Sequence, residues 1–207
     1  MNNIQVMTQS SYEKQIQDTI KLLQAGELVV APTETRYGLL VDASNKSALE
    51  KLYEAKKRPS LMPTAIFVKS VDEMFRYGKK TKAAERLAKA YLPGPLTLIL
   101  EAKVNMEKYV VLDKKIGIRI SSSKLISDIL SRIDFPMSAT SANISGQNDC
   151  SSIAEIQKEF QDNVALYIDG GELNNAPSTV VDVSEKILCF HREGAISKED
   201  IILKVES

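Results

Sequence analysis

Short apolar runs of strand length alternate with segments of helical period from one end of the chain to the other, and this alternation limits the fold more than any other feature. Residues 28–31, 64–68, 96–100, 116–120, 137–140, 165–168, 179–183 and 187–190 read as strands. Between them, Ile16, Ile20 and Leu23 share a helical face after Ser10 and Ser11, with Gly26 as the stop. Leu49, Leu52 and Tyr53 do the same in 45–55, and Leu125, Ile129 and Leu130 in 124–133. Ser70-Val71-Asp72-Glu73 has capping-box form, residues 81–91 form an Ala-rich helix closed by Pro93-Gly94-Pro95, another helix spans 152–160, and Ser197 caps a last one. The alternation predicts an α/β fold, a single domain with a twisted, mixed parallel and antiparallel sheet flanked by helices. The hairpin-like spacing of the last strands argues against a purely parallel sheet.

Length and composition narrow the function classes. A chain of 207 residues with no compositional break suits one core, so one domain over 1–207 is expected. No apolar run approaches the ~20 residues of a membrane span, and residues 1–12 have no basic n-region or apolar h-region. No membrane contact and a cytoplasmic location are expected. Cys150 and Cys189 lack CxxC spacing and share one histidine, His191, so no tightly bound metal is expected and both cysteines read as structural. Lys plus Arg and Asp plus Glu number 27 each, which is not the overall footprint of a dedicated nucleic-acid binder. Any anion site must be local.

Polar segments cluster where strands end, the usual ligand edge of an open α/β sheet. They are Pro32-Thr33-Glu34-Thr35-Arg36-Tyr37-Gly38, Lys56-Lys57-Arg58-Pro59, Gly117-Ile118-Arg119, residues 138–146, and Ser178-Thr179 with His191-Arg192-Glu193-Gly194. Neither GxxxxGK[ST] nor GxGxxG occurs, so a nucleotide would be held by cations and hydroxyls. Each segment has two readings. Lys56 and Arg58 are either solvated cations favoured at a helix C-terminus or a grip on polyphosphate. Arg119, in a strand between Ile118 and Ile120, makes either an internal salt bridge or a contact to an anionic ligand. Ser138 to Gly146 is either turn chemistry or a set of hydroxyls and an amide offered to a nucleotide. Thr33, Thr35, Tyr37 and Ser178 also fit strand-end, core and turn roles. His191 has no Ser or Cys signature around it, so a hydrolase triad is not supported.

In their order, the segments PTETRYGL, KKRP, LPGPLTLIL, GIRI, SATSANISG and PSTVVD followed by REGAI resemble the YrdC-type threonylcarbamoyl-AMP synthases from about Tyr12 to Ile196, the expected core. The resemblance implies that Thr35, Arg119 and Ser178 contact L-threonine and that Lys56, Arg58, Ser141, Asn143 and Arg192 hold ATP, with Ala139 and Thr140 lining the same pocket. Lys56 and Arg58 are implied as the catalytic pair. The implied substrates are ATP with Mg2+, L-threonine and bicarbonate. A weak tRNA contact and a downstream threonylcarbamoyl transferase complex are the further partners. Threonine's amine would capture bicarbonate or CO2, and the carbamate would attack the α-phosphate and expel pyrophosphate. No protein nucleophile is needed, and catalysis would rest on positioning and charge neutralisation. Met62 and Phe67 depart from the asparagine and histidine of many members. A non-catalytic RNA-binding module and a paralogue of drifted activity are the competing readings.

Overall fold

The computed structural model describes residues 3–206; Met1, Asn2 and Ser207 of the expected 1–207 domain lie outside the described residues. Along the chain run β1 (Asn3–Val6), α1 (Tyr12–Gln24), β2 (Val29–Pro32), β3 (Tyr37–Leu40), α2 (Lys46–Ala55), β4 (Ala65–Phe67), α3 (Val71–Tyr77), α4 (Lys82–Tyr91) and β5 (Leu96–Glu101). They are followed by β6 (Val111–Leu112), β7 (Lys115–Arg119), α5 (Lys124–Leu130), β8 (Met137–Ser141), α6 (Ile153–Phe160), β9 (Leu166–Asp169), β10 (Thr179–Asp182), β11 (Cys189–Arg192) and α7 (Lys198–Glu206).

Among the described residues the strands form one sheet in the order β1-β9-β2-β3-β8-β4-β7-β5-β10-β11, with β6 paired to β7. The β1–β9, β2–β9, β4–β7 and β5–β10 pairs are parallel and the remainder antiparallel, so the mixed sheet is as expected. Alternation along β2 explains how both faces are filled. Val30 joins Leu39, Leu49, Leu52, Ile153 and Phe160 on one side, whereas Val29 and Ala31 join Ile16, Leu23, Ile126 and Ile129 on the other. α1 and α5 therefore cover one face, and α2, α4, α6 and α7 pack on the other.

Local chemistry sets the helix ends. Asn45, Ser70, Thr81 and Ser152 each accept a hydrogen bond from the backbone N–H three residues on, and Ser197 does so for Asp200. The Glu73 carboxylate completes the Ser70 box one residue early, accepting from Lys69 N at 2.8 Å. Gly26, at φ +73°, takes the left-handed position that closes α1.

Several expected boundaries shift. β1, β3 and β6 are not among the expected strands, whereas α7 is the helix expected after Ser197. β3 was hidden because the β2–β3 turn lacks the Asn-Gly or Asp-Gly signal of a tight hairpin. In its place the Thr33 hydroxyl donates to Arg36 O at 2.6 Å and accepts from Thr35 N at 3.1 Å. α5 stops at Leu130 rather than 133, where Ser131 turns the chain and donates its hydroxyl to Asp128 O. β11 occupies Cys189–Arg192 rather than 187–190, because a bulge in its pairing sets Val180 opposite Arg192.

Candidate active site

The central strands and their loops enclose a cleft of about 440 Å³. Hairpin β2–β3 supplies Thr35, β7 supplies Arg119, and the β10 and β11 segments supply Ser178 and Arg192. Ala139, Thr140 and Ser141 at the end of β8 line it too, as does Arg58 after α2. Eight of the ten residues singled out in the sequence thus meet on its wall, although they come from six separate stretches of chain. The other two, Lys56 and Asn143, do not line it.

At one end the β7 arginine is held by its neighbours. Arg119 Nη2 donates to Glu34 Oε1 at 2.8 Å and to Thr35 Oγ1 at 2.9 Å, and its guanidinium lies 5.5 Å from the centre of the Phe67 ring. The internal salt bridge therefore exists, yet the same guanidinium still faces the cleft, and its buried Nε has no hydrogen-bond partner. Because Thr33 already donates to Arg36 O, the Thr35 hydroxyl gives its proton to Thr33, 3.1 Å away, and keeps its lone pairs for Arg119. Burial pushes the Glu34 carboxyl up, but the Arg119 charge and hydrogen bonds from Ser121 and Arg119 outweigh it and leave it below its ordinary value. Opposite, Ser178 is fixed by Arg192, whose Nη2 reaches its Oγ and whose Nε reaches its carbonyl, both at 2.9 Å. The glycine of REGAI has a steric cause: a Cβ on Gly194 would collide with the carbonyl of Pro177.

Lys56 is almost entirely buried, 1% exposed, and works from beneath the cleft. Its Nζ donates to Ser141 O at 2.5 Å and Asn143 O at 2.6 Å, while Asn143 Oδ1 accepts from the Ser141 hydroxyl at 2.5 Å. In this arrangement Lys56 and Asn143 set the course of the loop after β8 instead of reaching into the cleft. Burial pulls the Lys56 ammonium down to about 7, with the Arg58 charge adding to the effect.

Arg58 follows Lys57, which takes φ +50° at the end of α2. It donates Nε to Met62 O at 2.8 Å and Nη2 to Pro63 O at 3.0 Å, and lies 5.8 Å from the Tyr53 ring centre. Met62 thus meets Arg58 through its backbone, and its side chain is exposed; Phe67 is buried under Arg119. Sequence reasoning did not single out Arg36, Asp149, Lys115 or Asp182, all of which line the cleft. Arg36 stood inside a recognised segment, but Asp149 and Lys115 lie in stretches with no motif, so only the fold brings them in. His191 also lines the cleft. Burial and the nearby Glu159 push the Cys150 thiol up to about 12, which fits a structural role, whereas Cys189 is exposed on β11.

Residues 21–194 match the model of the Sua5/YciO/YrdC family, whose description reads "Telomere recombination". This chain belongs to the Sua5/YciO/YrdC family. Within it, a protein of Methanocaldococcus jannaschii named as a putative threonylcarbamoyl-AMP synthase is 36% identical over 83% of this chain and 81% of its own length. The threonylcarbamoyl-AMP synthase of Bacillus subtilis is 32% identical over 93% of this chain and 57% of its own. The structure of Pyrococcus abyssi Sua5 complexed with L-threonine superposes with a TM-score of 0.87 at 30% identity, covering 99% of this chain and 60% of that one. The chain thus spans a little over half the length of the longer family members, and its fold is theirs.

Proposed function

We propose that this chain is a threonylcarbamoyl-AMP synthase, making threonylcarbamoyl-AMP and pyrophosphate from ATP, L-threonine and bicarbonate for tRNA modification. The observation that carries the reading is a single cleft with two chemically distinct ends. At one end Arg119, Thr35 and Ser178 offer a guanidinium and two hydroxyls, a match for an amino acid with a carboxylate and a hydroxyl of its own. Beside it Arg58, Arg192, Thr140 and Ser141 offer cations and hydroxyls suited to a triphosphate, with Ala139 in the strand between. The names of the Methanocaldococcus and Bacillus relatives, and the L-threonine complex of the Pyrococcus protein, support the same reading.

In this mechanism the threonine amine adds to CO2 and loses a proton, or condenses with bicarbonate and releases water, giving a carbamate. One carbamate oxygen attacks the α-phosphorus of ATP, and the bond from that phosphorus to the α,β-bridging oxygen breaks as pyrophosphate departs with its electron pair. Mg2+ enters with ATP as part of the substrate and shields the phosphates. Arg58 and Arg192 neutralise charge that grows on the phosphoryl oxygens, and Arg119 holds the threonine carboxylate so that its amine faces the α-phosphate. Lys56 and Asn143 serve by fixing the loop that presents Ser141. The single domain acts in the cytoplasm and delivers its product to a separate threonylcarbamoyl transferase complex, with at most a weak contact to tRNA. Among the described residues no helix is long and apolar enough to cross a membrane.

Pyrophosphate release by the purified protein tests this. With ATP and Mg2+, release is expected only when L-threonine and bicarbonate are both present, and Arg58→Ala should lower it about a hundredfold, on the order of 3 kcal/mol in the barrier. Release indifferent to threonine, or salt-dependent RNA binding with no turnover, would count decisively against the synthase reading.

A further inference from the structure

The nucleotide side of the cleft contains an ion pair that the mechanism above leaves unused. Arg36 leaves the β2–β3 turn with its guanidinium lining the cleft and sets Nε 3.5 Å from Asp149 Oδ2. Both side chains remain partly open, at 22% and 26%. The contact is an ion pair without a hydrogen bond, for Arg36 Nε is buried and has no acceptor within bonding geometry. Among the described residues the guanidinium's hydrogen bond is made by Nη1, which donates to Leu173 O at 2.9 Å. Asp149 also lines the cleft, and its charge favours the cationic forms of Lys56 and Arg192 as well. A single, loosely held carboxylate therefore sits among three cations, where a free cleft needs an anion and a cleft filled by a nucleotide would not.

We propose that Arg36 is a further polyphosphate-binding residue of the cleft and that Asp149 is its resident counter-ion, which the phosphates of the nucleotide replace. The inference rests on the nucleotide reading given above. A partly exposed ion pair at this distance is weakly bound, so exchanging it for a multiply charged triphosphate is favourable. The edge formed by Nε and Nη2, where Nε meets only Asp149 and makes no hydrogen bond, is the edge of the guanidinium that a phosphate takes in a two-point fork. Arg36 follows Thr35 in the chain, and both line the cleft.

The test uses the whole chain as wild type, Arg36→Val, Arg36→Lys and Asp149→Asn. Titration calorimetry with ATP, AMP and inorganic triphosphate is combined with the KM values for ATP and L-threonine. Arg36→Val should weaken ATP and triphosphate about tenfold while leaving AMP and the threonine KM nearly unchanged, and Arg36→Lys should recover part of the loss. Asp149→Asn, which removes the competing charge, should tighten triphosphate about threefold. The proposal is overturned if Arg36→Val leaves triphosphate affinity intact, or if it weakens threonine and ATP equally with a lowered melting temperature, the mark of a mere staple to the Leu173 loop. Weaker triphosphate binding by Asp149→Asn would overturn it too. A wild type that binds triphosphate but releases no pyrophosphate sinks the synthase reading while the Arg36 variants still decide this one; a wild type that binds neither ATP nor triphosphate sinks both.

Discussion

Arg119 and Glu34 show how one residue can satisfy both readings that a sequence leaves open. The pair is an internal salt bridge, and it also holds the guanidinium in one orientation with Thr35 on the cleft side. Its pH dependence follows from the lowered Glu34 carboxyl. A carboxyl whose folded value is depressed adds stability that is fully present above its unfolded value, here 4.5, and is lost as pH falls through the folded value. Wild type should therefore exceed Glu34→Gln in stability at pH 6, and the gap should shrink steadily in urea titrations carried below pH 4.5. A gap that stays constant across that range would mean that the carboxylate charge contributes nothing to the fold. Lys56 illustrates the opposite case. The sequence admits a ligand contact or a solvated charge at this cation, and in the structure it is buried and donates to the carbonyls of Ser141 and Asn143 from below. Nothing in the spacing of Lys56 and Arg58 tells which of the two points into the cleft.

At the scale of elements, the site depends on how firmly α2 and the β2–β3 hairpin are set. α2 is capped at its start by Asn45, whose side chain accepts from Ala48 N at 3.2 Å, and at its end by Lys56, so its packing fixes the position of that ammonium. Leu52 lies fully buried on its inner face. Leu52→Ala should cost ~3 kcal/mol of unfolding free energy, from lost burial and the cavity left behind. Asn45→Ala should cost only ~1 kcal/mol through the lost cap. Denaturant midpoints check both, and a Leu52→Ala cost no greater than that of the cap would show that the helix is held by something other than its apolar face. The hairpin is stabilised by the Thr33 hydroxyl in a turn that has no glycine, and for that reason its second strand did not stand out in the sequence.

For the molecule as a whole, the cleft is a product of strand order. β3, β8, β4, β7, β5 and β10 are adjacent in the sheet while scattered along the chain, so a ligand in the cleft bridges segments that unfolding would separate. At a hundred times its dissociation constant, L-threonine should add ~2.7 kcal/mol of stability, a rise of about 5–10 °C in melting temperature. Arg119→Lys should abolish most of that rise, and a wild-type melting temperature indifferent to threonine would remove the amino-acid end from the proposed site. The sequence by itself determined the alternation of strands and helices, the caps at Ser70 and Ser197, and the motifs from which eight cleft residues were named, because periodicity, capping and short motifs are local properties. The tertiary structure alone decided that Lys56 and Asn143 lie beneath the cleft, that Arg119 is paired with Glu34, and that Arg36 and Asp149 face each other. Those facts depend on which strands become neighbours and on how far each side chain must reach, and long-range packing sets both.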